Sequence, residues 1–148
     1  MIKKLLGTSN DIAPFVARVT LGLVMFPHGA QKALGLFGGN GFSGTMGFFT
    51  GMGMPAFAAV LIILGEFLGS LGLIFGAVSR FAAFGIACIM TGAIFMVHLP
   101  NGFFMNWFGN QKGEGFEYHL LALGLALIVM IKGSGRWSID KALESKLG

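Results

Sequence analysis

Four apolar runs dominate the chain and constrain its fold more than any other feature. They cover residues 12–34, 55–78, 81–99 and 117–132. The first three have close to the ~20 residues that a helix needs to cross ~30 Å of hydrocarbon, and the fourth is shorter. Because 55% of the residues are hydrophobic and only 11% are charged, the chain lacks the polar surface of a soluble domain. The pattern predicts an all-α membrane protein with a bundle of four transmembrane helices, in a single domain over residues 1–148.

The connection between the first two runs is long and rich in glycine and phenylalanine. It reads "GLFGGNGFSGTMGFFTGMGMP" from Gly35 to Pro55, with Phe42, Met46 and Phe49 at helical spacing. An amphipathic segment next to a transmembrane helix lies at the membrane interface or re-enters the bundle. We therefore expect a short interfacial or re-entrant helix between the first two transmembrane helices, over the outer mouth of the bundle.

The distribution of positive charge predicts the orientation of the chain. Cytoplasmic loops carry an excess of lysine and arginine. Lys32 and Lys112 flank the two predicted outer loops, whereas seven cations fall on the side of the termini: Lys3, Lys4, Arg80, Lys132, Arg136, Lys141 and Lys146. This asymmetry predicts a multi-pass protein of the bacterial inner (cell) membrane with both termini in the cytoplasm. It also explains the basic charge through the lipid bilayer, without a nucleic-acid partner.

Two ionisable residues are predicted to lie within the hydrocarbon region. Glu66 falls near the middle of the second helix, and Arg18 falls in the cytoplasmic half of the first. A charge at such depth costs several kcal/mol unless it is paired, hydrated or neutralised. We expect an Arg18–Glu66 ion pair, which either holds the bundle in register or forms the floor of a ligand site. Beside Glu66, a glycine stripe predicts close helix packing, and it consists of Gly65, Gly69, Gly72 and Gly76.

A layer of polar residues is predicted at the outer mouth of the bundle, and it contains all three histidines of the chain. Glu117 and His119 are two positions apart, about 160° around a helix, so only one of them can face the bundle. Glu117 shares a stripe with Leu121 and Gly124 and is the favoured inward residue. The full layer comprises His28, Lys32, His98, Glu114, Glu117, Tyr118 and His119.

Several chemistries are compatible with such a layer. Imidazole and carboxylate groups suit zinc, copper or iron, but the spacings form no recognised metal-ligand motif, so no metal site is predicted, although metal and haem are not excluded. Cys88 is alone and is expected to be buried in mid-helix, which disfavours thiol chemistry. A quinone-like ring fits better, because it needs apolar walls and hydrogen-bond donors. Candidate wall residues are Phe37, Phe42, Phe103, Phe104, Trp107 and Phe116.

The order of motifs along the chain resembles that of the DoxX family of small bacterial membrane proteins. The matching segments include "ARVTLGLVMFPHGAQK", "GEFLGSLGLIFGAVSRFAA", "HLPNGFF", "GFEYHLL" and "GSGRWSID". The resemblance implies a four-helix bundle in the inner membrane and an association with redox chemistry, since some relatives are subunits of thiosulfate:quinone oxidoreductase. Arg80 and Asp140 also match the family pattern, and on the cytoplasmic side a structural pairing is expected for them.

Taken together, these features predict an accessory subunit of a membrane redox system that binds a quinone-like ligand in an outward-facing pocket. Electrons would come from a redox partner protein, because the chain has no flavin fingerprint or cluster-ligating cysteines. The alternatives are a non-enzymatic assembly, chaperone or partner-binding subunit and, third, a small transporter; a homodimer is possible. Predicted catalytic residues are Glu66, His98 and Glu117, and predicted ligand contacts are Arg18, His28, Lys32, Tyr118, Phe103 and Trp107.

Overall fold

The computed structural model describes residues 6–147, and within that range all regular secondary structure is helical. Lys3 and Lys4, which contribute to the predicted charge asymmetry, lie outside the described residues. The helices are α1 (Ile12–Leu34), α2 (Gly41–Gly51), α3 (Ala56–Phe75), α4 (Ser79–Ala93), α5 (Glu117–Lys132) and α6 (Ile139–Leu147).

Local sequence signals explain where the helices begin and end. The carboxylate of Asp11 accepts a hydrogen bond from the Ala13 amide at 3.1 Å and caps the N-terminus of α1. Gly35 and Gly76 adopt left-handed backbone angles, with φ of 72° and 69°, and end α1 and α3. Because Gly76 ends α3, this helix stops at Phe75, three residues before the predicted end of the second apolar run.

The third apolar run forms a helix with an irregular end. Its α-helical part, α4, is followed by a π-helical turn (Ile94–His98) and a 3-10 turn (Leu99–Asn101). Pro100 lacks an amide hydrogen and cannot continue the regular hydrogen-bond ladder. Single π-turns are frequent at functional sites. In this chain the π-turn carries His98.

Four helices, α1, α3, α4 and α5, pack as a closed ring. Helix α1 contacts α3 and α5, α4 contacts the same two helices, and α2 packs against α1 and α3. Three segments are long and apolar enough to cross a membrane: Ile12–Leu34, Ala56–Phe75 and Ser79–Asn101. Helix α5 has 16 residues and is therefore about 24 Å long. A fourth transmembrane span, and a position of α2 at the membrane interface, remain predictions.

Glycine residues permit close approach between the helices of the ring. A Cβ atom on Gly29 of α1 would lie 2.6 Å from the Cα atom of Phe67 of α3, and one on Gly65 of α3 would lie 3.0 Å from Ile89 of α4. The predicted packing role of the glycine stripe is confirmed for its contact with α4. Since these glycines pack within one chain, they give no support to a homodimer, which remains a prediction.

The outer surface of the ring is apolar. Phe57, Leu61, Phe81 and Leu121 are all more than 60% exposed, as expected for side chains that face lipid. Cys88 also faces outward. The prediction that Cys88 is buried was wrong, because the buried face of α4 runs through Ala83, Ile86 and Met90 instead.

Candidate functional site

The two ends of the bundle contain different sets of charged residues. We call the end with His28, His98 and His119 the histidine end, and the opposite end, which contains residues 6–11 and 133–147, the termini end. The predicted site residues divide between them.

An ion pair between a half-buried lysine and a buried glutamate lies at the histidine end. The Lys32 Nζ atom is 2.6 Å from Glu66 Oε2, and the side chain of Glu66 is only 5% exposed. The predicted Arg18–Glu66 pair was therefore wrong. The register between α1 and α3 explains the difference. Glu66 packs against Gly29, because a Cβ atom on Gly29 would lie 2.8 Å from the Glu66 carbonyl carbon. Lys32 is one helical turn from Gly29 and is therefore the cation that reaches Glu66.

Arg18 is fully buried at the termini end. Its five N–H groups all donate to backbone carbonyls, so none remains for Glu66 or for a ligand. The acceptors lie at the C-terminal end of α3, where helical carbonyls have no helical partner, and in the loop that precedes α6. They are Leu73 (2.8 Å), Ile74 (2.6 Å), Ser134 (2.7 Å), Arg136 (3.1 Å) and Trp137 (2.6 Å).

Asp140 and Arg80 have similar roles at this end. The carboxylate of Asp140 accepts hydrogen bonds from the amides of Val78 (2.6 Å) and Ser79 (2.9 Å) at the start of α4. The Arg80 guanidinium donates to carbonyls at the end of α5, including that of Ile131 at 3.1 Å. Both roles are structural, as expected, but the two side chains do not form an ion pair with each other.

Four aromatic rings follow one another across the histidine end. The ring centroids are 6.3 Å apart for His28 and Tyr118, 5.2 Å for Tyr118 and His119, and 4.1 Å for His119 and His98. His98 Nδ1 lies 2.8 Å from the carbonyl oxygen of Glu114. His119 is only 5% exposed, and its buried Nδ1 has no hydrogen-bond partner within residues 6–147. A buried polar atom without a partner is costly in a fold.

His119, and not Glu117, is the residue of this pair that faces the bundle. His119 shares the buried face of α5 with Ala122, Ala126 and Val129. The preference for Glu117 was wrong because its stripe, which contains Leu121, faces outward; Leu121 is 73% exposed.

Glu117 instead holds the loop of residues 102–116, one of the two predicted outer loops. Its Oε1 atom accepts hydrogen bonds from the Met105 amide at 2.9 Å and the Trp107 Nε1–H at 3.0 Å. Trp107 is 78% exposed, and Phe103 packs against Phe104 and Phe116 within the same loop. The predicted site residues Phe103, Trp107 and Glu117 therefore form a separate cluster in this loop and do not contact the Lys32–Glu66 ion pair.

A cavity of about 340 Å³ opens beside Lys32. It lies between the last turn of α1, the connection after it and helix α2. Phe48 and Phe49 supply aromatic wall, whereas Lys32 and Gln31 supply hydrogen-bond donors. The remaining lining residues are Gly38, Gly39, Asn40 and Thr45.

Comparison with known proteins identifies the family. A family model described as DoxX matches residues 13–99, more than half of the chain. The chain belongs to the DoxX family. Two relatives cover most of it: "Inner membrane protein YqjF" of Escherichia coli (strain K12) is 29% identical over 137 residues, 93% of this chain and 96% of the relative. "Putative oxidoreductase CatD" of Bacillus subtilis (strain 168) is 31% identical over 122 residues, 82% of this chain and 81% of the relative. No solved structure matches the chain.

The DoxX match spans α1 to α4 and thus includes Lys32, Glu66 and His98. The sequence predicted that Phe42 of α2 lines the ligand site of this DoxX protein, but the residues of α2 that line the cavity are Thr45, Phe48 and Phe49. The helical spacing of Phe42, Met46 and Phe49 correctly indicated a helix in this segment. Of these three residues, only Phe49 lines the cavity.

The described residues of this DoxX protein contain no group of three or more His, Cys, Asp and Glu side chains that could hold a metal ion. His98 and His119 supply two imidazoles whose ring centroids are 4.1 Å apart. Rings in such direct contact leave no space for a porphyrin plane between them. The geometry of this pair therefore does not fit a haem held by both histidines.

Proposed function

We propose that this DoxX protein is an accessory subunit of a membrane redox system and binds a quinone-like ligand in the cavity beside Lys32. The observation that carries the proposal is the Lys32–Glu66 ion pair, in which Glu66 is buried and the half-buried Lys32 lines an aromatic-walled cavity. A charged pair at such depth is expensive, and residues of this kind usually mark functional sites in membrane proteins.

The residues of the cavity fit the chemistry of a quinone. A volume of about 340 Å³ lies within the range of small-molecule sites. The rings of Phe48 and Phe49 suit the flat faces of a quinone ring. An ammonium group has three N–H donors, and Glu66 occupies one of those of Lys32, so the others can bind a carbonyl oxygen. The side-chain amide of Gln31 already donates to the Phe37 carbonyl at 3.1 Å, and its second N–H can serve the ligand.

The ion pair and the histidines could transfer protons between the ligand and the solvent. A bound quinone would supply two-electron, two-proton redox chemistry, with the electrons coming from a redox partner protein. Lys32 holds a proton at Nζ beside the ligand carbonyl, and Glu66 holds Lys32 in place and accepts or returns a proton. The rings of His28, Tyr118, His119 and His98 lead from this region toward the outer loop and its water. The printed name of the Bacillus subtilis relative supports a redox role.

Quantification of co-purified quinone tests the binding step. The full chain is purified in mild detergent from quinone-containing bacterial membranes, and the extracted quinones are measured by liquid chromatography and mass spectrometry. We expect quinone bound to the wild type and about tenfold less on Lys32→Met, a loss of about 1.4 kcal/mol in binding. Lys112→Met, an exposed lysine of the outer loop, is the matched control. Equal traces of quinone on all three proteins would remove the proposal.

We also propose that α5 is a fourth membrane span and that both termini are cytoplasmic. The lipid-facing apolar side chains of α5 and its place in the closed ring of helices support the fourth span. The excess of lysine and arginine at the termini end supports the cytoplasmic location of the termini. Single cysteines introduced at Asn110 and Lys146 on a Cys88→Ser background test it by labelling of intact cells. Only the Asn110 cysteine should react with a membrane-impermeant reagent, and labelling of Lys146→Cys would contradict the topology.

A partner-binding subunit is the second candidate function. Phe104, Trp107 and Phe108 in the outer loop are 66%, 78% and 88% exposed, which is unusual for aromatic side chains outside a lipid-facing surface. Affinity purification of the tagged protein and of Trp107→Ala/Phe108→Ala distinguishes the candidates. Loss of a stoichiometric partner from the variant, with bound quinone absent in both, would favour this second function.

A further inference from the structure

A second cavity, of about 350 Å³, lies at the termini end, on the opposite side of the bundle from the proposed quinone site. Its lining residues are Asn10, Arg136, Trp137 and Lys141. Lys141 Nζ donates to Asn10 Oδ1 at 2.5 Å, and Arg136 Nε donates to the Asn10 carbonyl at 3.2 Å. Asn10 thus brings two cations together at one rim.

The carboxylates of this end do not neutralise those cations. Asp11 accepts from the Ala13 amide, Asp140 accepts from the first amides of α4, and Glu144 accepts from the Thr8 amide at 3.4 Å. Among the residues that the structure describes, the single ion pair is the one between Lys32 and Glu66 at the other end. The cavity therefore has a net positive charge and suits an anion.

The backbone that forms the cavity is fixed from inside the bundle. Arg18 donates to the carbonyls of Arg136 and Trp137, at 3.1 and 2.6 Å. Trp137 has a φ of 50°, a left-handed conformation that a bulky residue adopts only where its surroundings determine it. The backbone that presents Arg136 and Trp137 is consequently fixed before a ligand binds.

Lipid-facing surface continues from the rim of the cavity. The indole of Trp137 packs edge-on against Phe15 of α1, with ring centroids 5.0 Å apart, yet remains 69% exposed. Ile12 and Val16, in the first turns of α1, are 51% and 54% exposed. An exposed indole beside a transmembrane helix is typical of the level of lipid headgroups.

We propose that this cavity binds the phosphodiester headgroup of an anionic phospholipid. The terminal nitrogens of Arg136 form the planar fork that matches two phosphate oxygens, and Lys141 adds a point charge. Trp137 marks the headgroup level, and the acyl chains follow the exposed side chains of Ile12 and Val16. Basic pockets at the ends of transmembrane helices recognise lipid headgroups by the same chemistry.

Native mass spectrometry of the full chain in detergent tests the proposal. The protein is titrated with phosphatidylglycerol and with phosphatidylcholine of the same acyl chains, and the retained lipid is counted. We expect wild type to retain phosphatidylglycerol in about tenfold preference, and Arg136→Gln/Lys141→Gln to lose it. Lys112→Gln/Lys146→Gln, which removes the same charge elsewhere, should keep the preference. Equal retention of both lipids by wild type, or equal loss in both double variants, would overturn the proposal.

Inorganic phosphate distinguishes a lipid from a free anion. If millimolar phosphate raises the unfolding temperature as much as phosphatidylglycerol and displaces the lipid, the cavity is a site for free phosphate and the lipid proposal fails. If the double variant does not fold, Lys141→Gln decides, because that side chain bonds only to Asn10 among the described residues. A wild-type preference for phosphatidylglycerol in this single variant would then overturn the proposal, and a reduced preference would support it.

Discussion

The termini end and the histidine end both contain buried charges, but the partners of those charges differ. At the termini end, Arg18 and Asp140 bind backbone carbonyls and amides at helix ends. At the histidine end, Lys32 and Glu66 bind each other, and His119 Nδ1 has no partner among the described residues.

This difference separates charged side chains that stabilise the fold from those that remain able to bind a ligand or transfer a proton. Backbone groups at a helix end must be satisfied for the helix to be stable, whether or not a ligand is present. A side chain that binds these backbone groups stabilises the fold and has no hydrogen-bonding group left for a ligand. A pair of ionisable side chains, in contrast, can exchange protons with each other or with a ligand. The partners of a buried charge, more than its depth, therefore indicate its role.

The largest effect should come from Arg18→Met at the termini end. It leaves five carbonyls, at the end of α3 and in the loop that precedes α6, without their donor, and we expect a loss of about 3–5 kcal/mol, enough to prevent folding. Arg18→Lys should rescue little, because an ammonium has three N–H groups in place of five. Yield of monodisperse protein and thermal unfolding measure this, with Lys146→Met as the exposed control. Normal unfolding of Arg18→Met would contradict a structural role.

Asp140→Asn should have the next largest effect. The amide replaces one charged acceptor by a donor, so one of the amides of Val78 and Ser79 loses its partner at a cost of about 2 kcal/mol. Asp11→Asn is the matched control, because asparagine caps a helix N-terminus about as well as aspartate does. Denaturant unfolding in detergent compares the two variants, and equal stability would show that the cap on α4 is unimportant.

The sequence predicted the elements better than it predicted their contacts. The bounds of α1 and α5, the short helix after α1 and the glycine packing follow from local patterns. The partner of Glu66 could not be predicted from local patterns. The register between α1 and α3 depends on how closely Gly29 lets the two helices approach, and no single segment encodes that distance. The inward residue of α5 was missed because that helix is apolar on most sides, so Leu121 looked like core. The fold of residues 102–116 around Glu117 depends on contacts that leave no periodic pattern in the sequence.

Breaking the Lys32–Glu66 pair should have a smaller effect on stability than either change at the termini end. Lys32→Met leaves the Glu66 carboxylate unpaired, but the lysine side of the pair is 26% exposed and thus partly hydrated, so we expect a loss of about 1–2 kcal/mol. The double variant Lys32→Met/Glu66→Gln should be more stable than either single variant, since no lone charge remains. A double-mutant cycle by thermal unfolding measures the coupling. Additive losses would show that the two side chains do not interact.

The smallest effect on stability should come from His119→Phe, and its sign is informative. Because the buried Nδ1 of His119 has no partner within residues 6–147, an apolar ring of similar shape should change the free energy of unfolding by less than about 1 kcal/mol, or raise it. His98→Phe is the matched control; it loses the bond to the Glu114 carbonyl and should cost about 1 kcal/mol more. If His119→Phe is the more damaging of the two, His119 is a packing residue like those of the termini end. If it is neutral in stability but slows reduction of bound quinone, the imidazole is present for proton transfer, because packing alone does not require it.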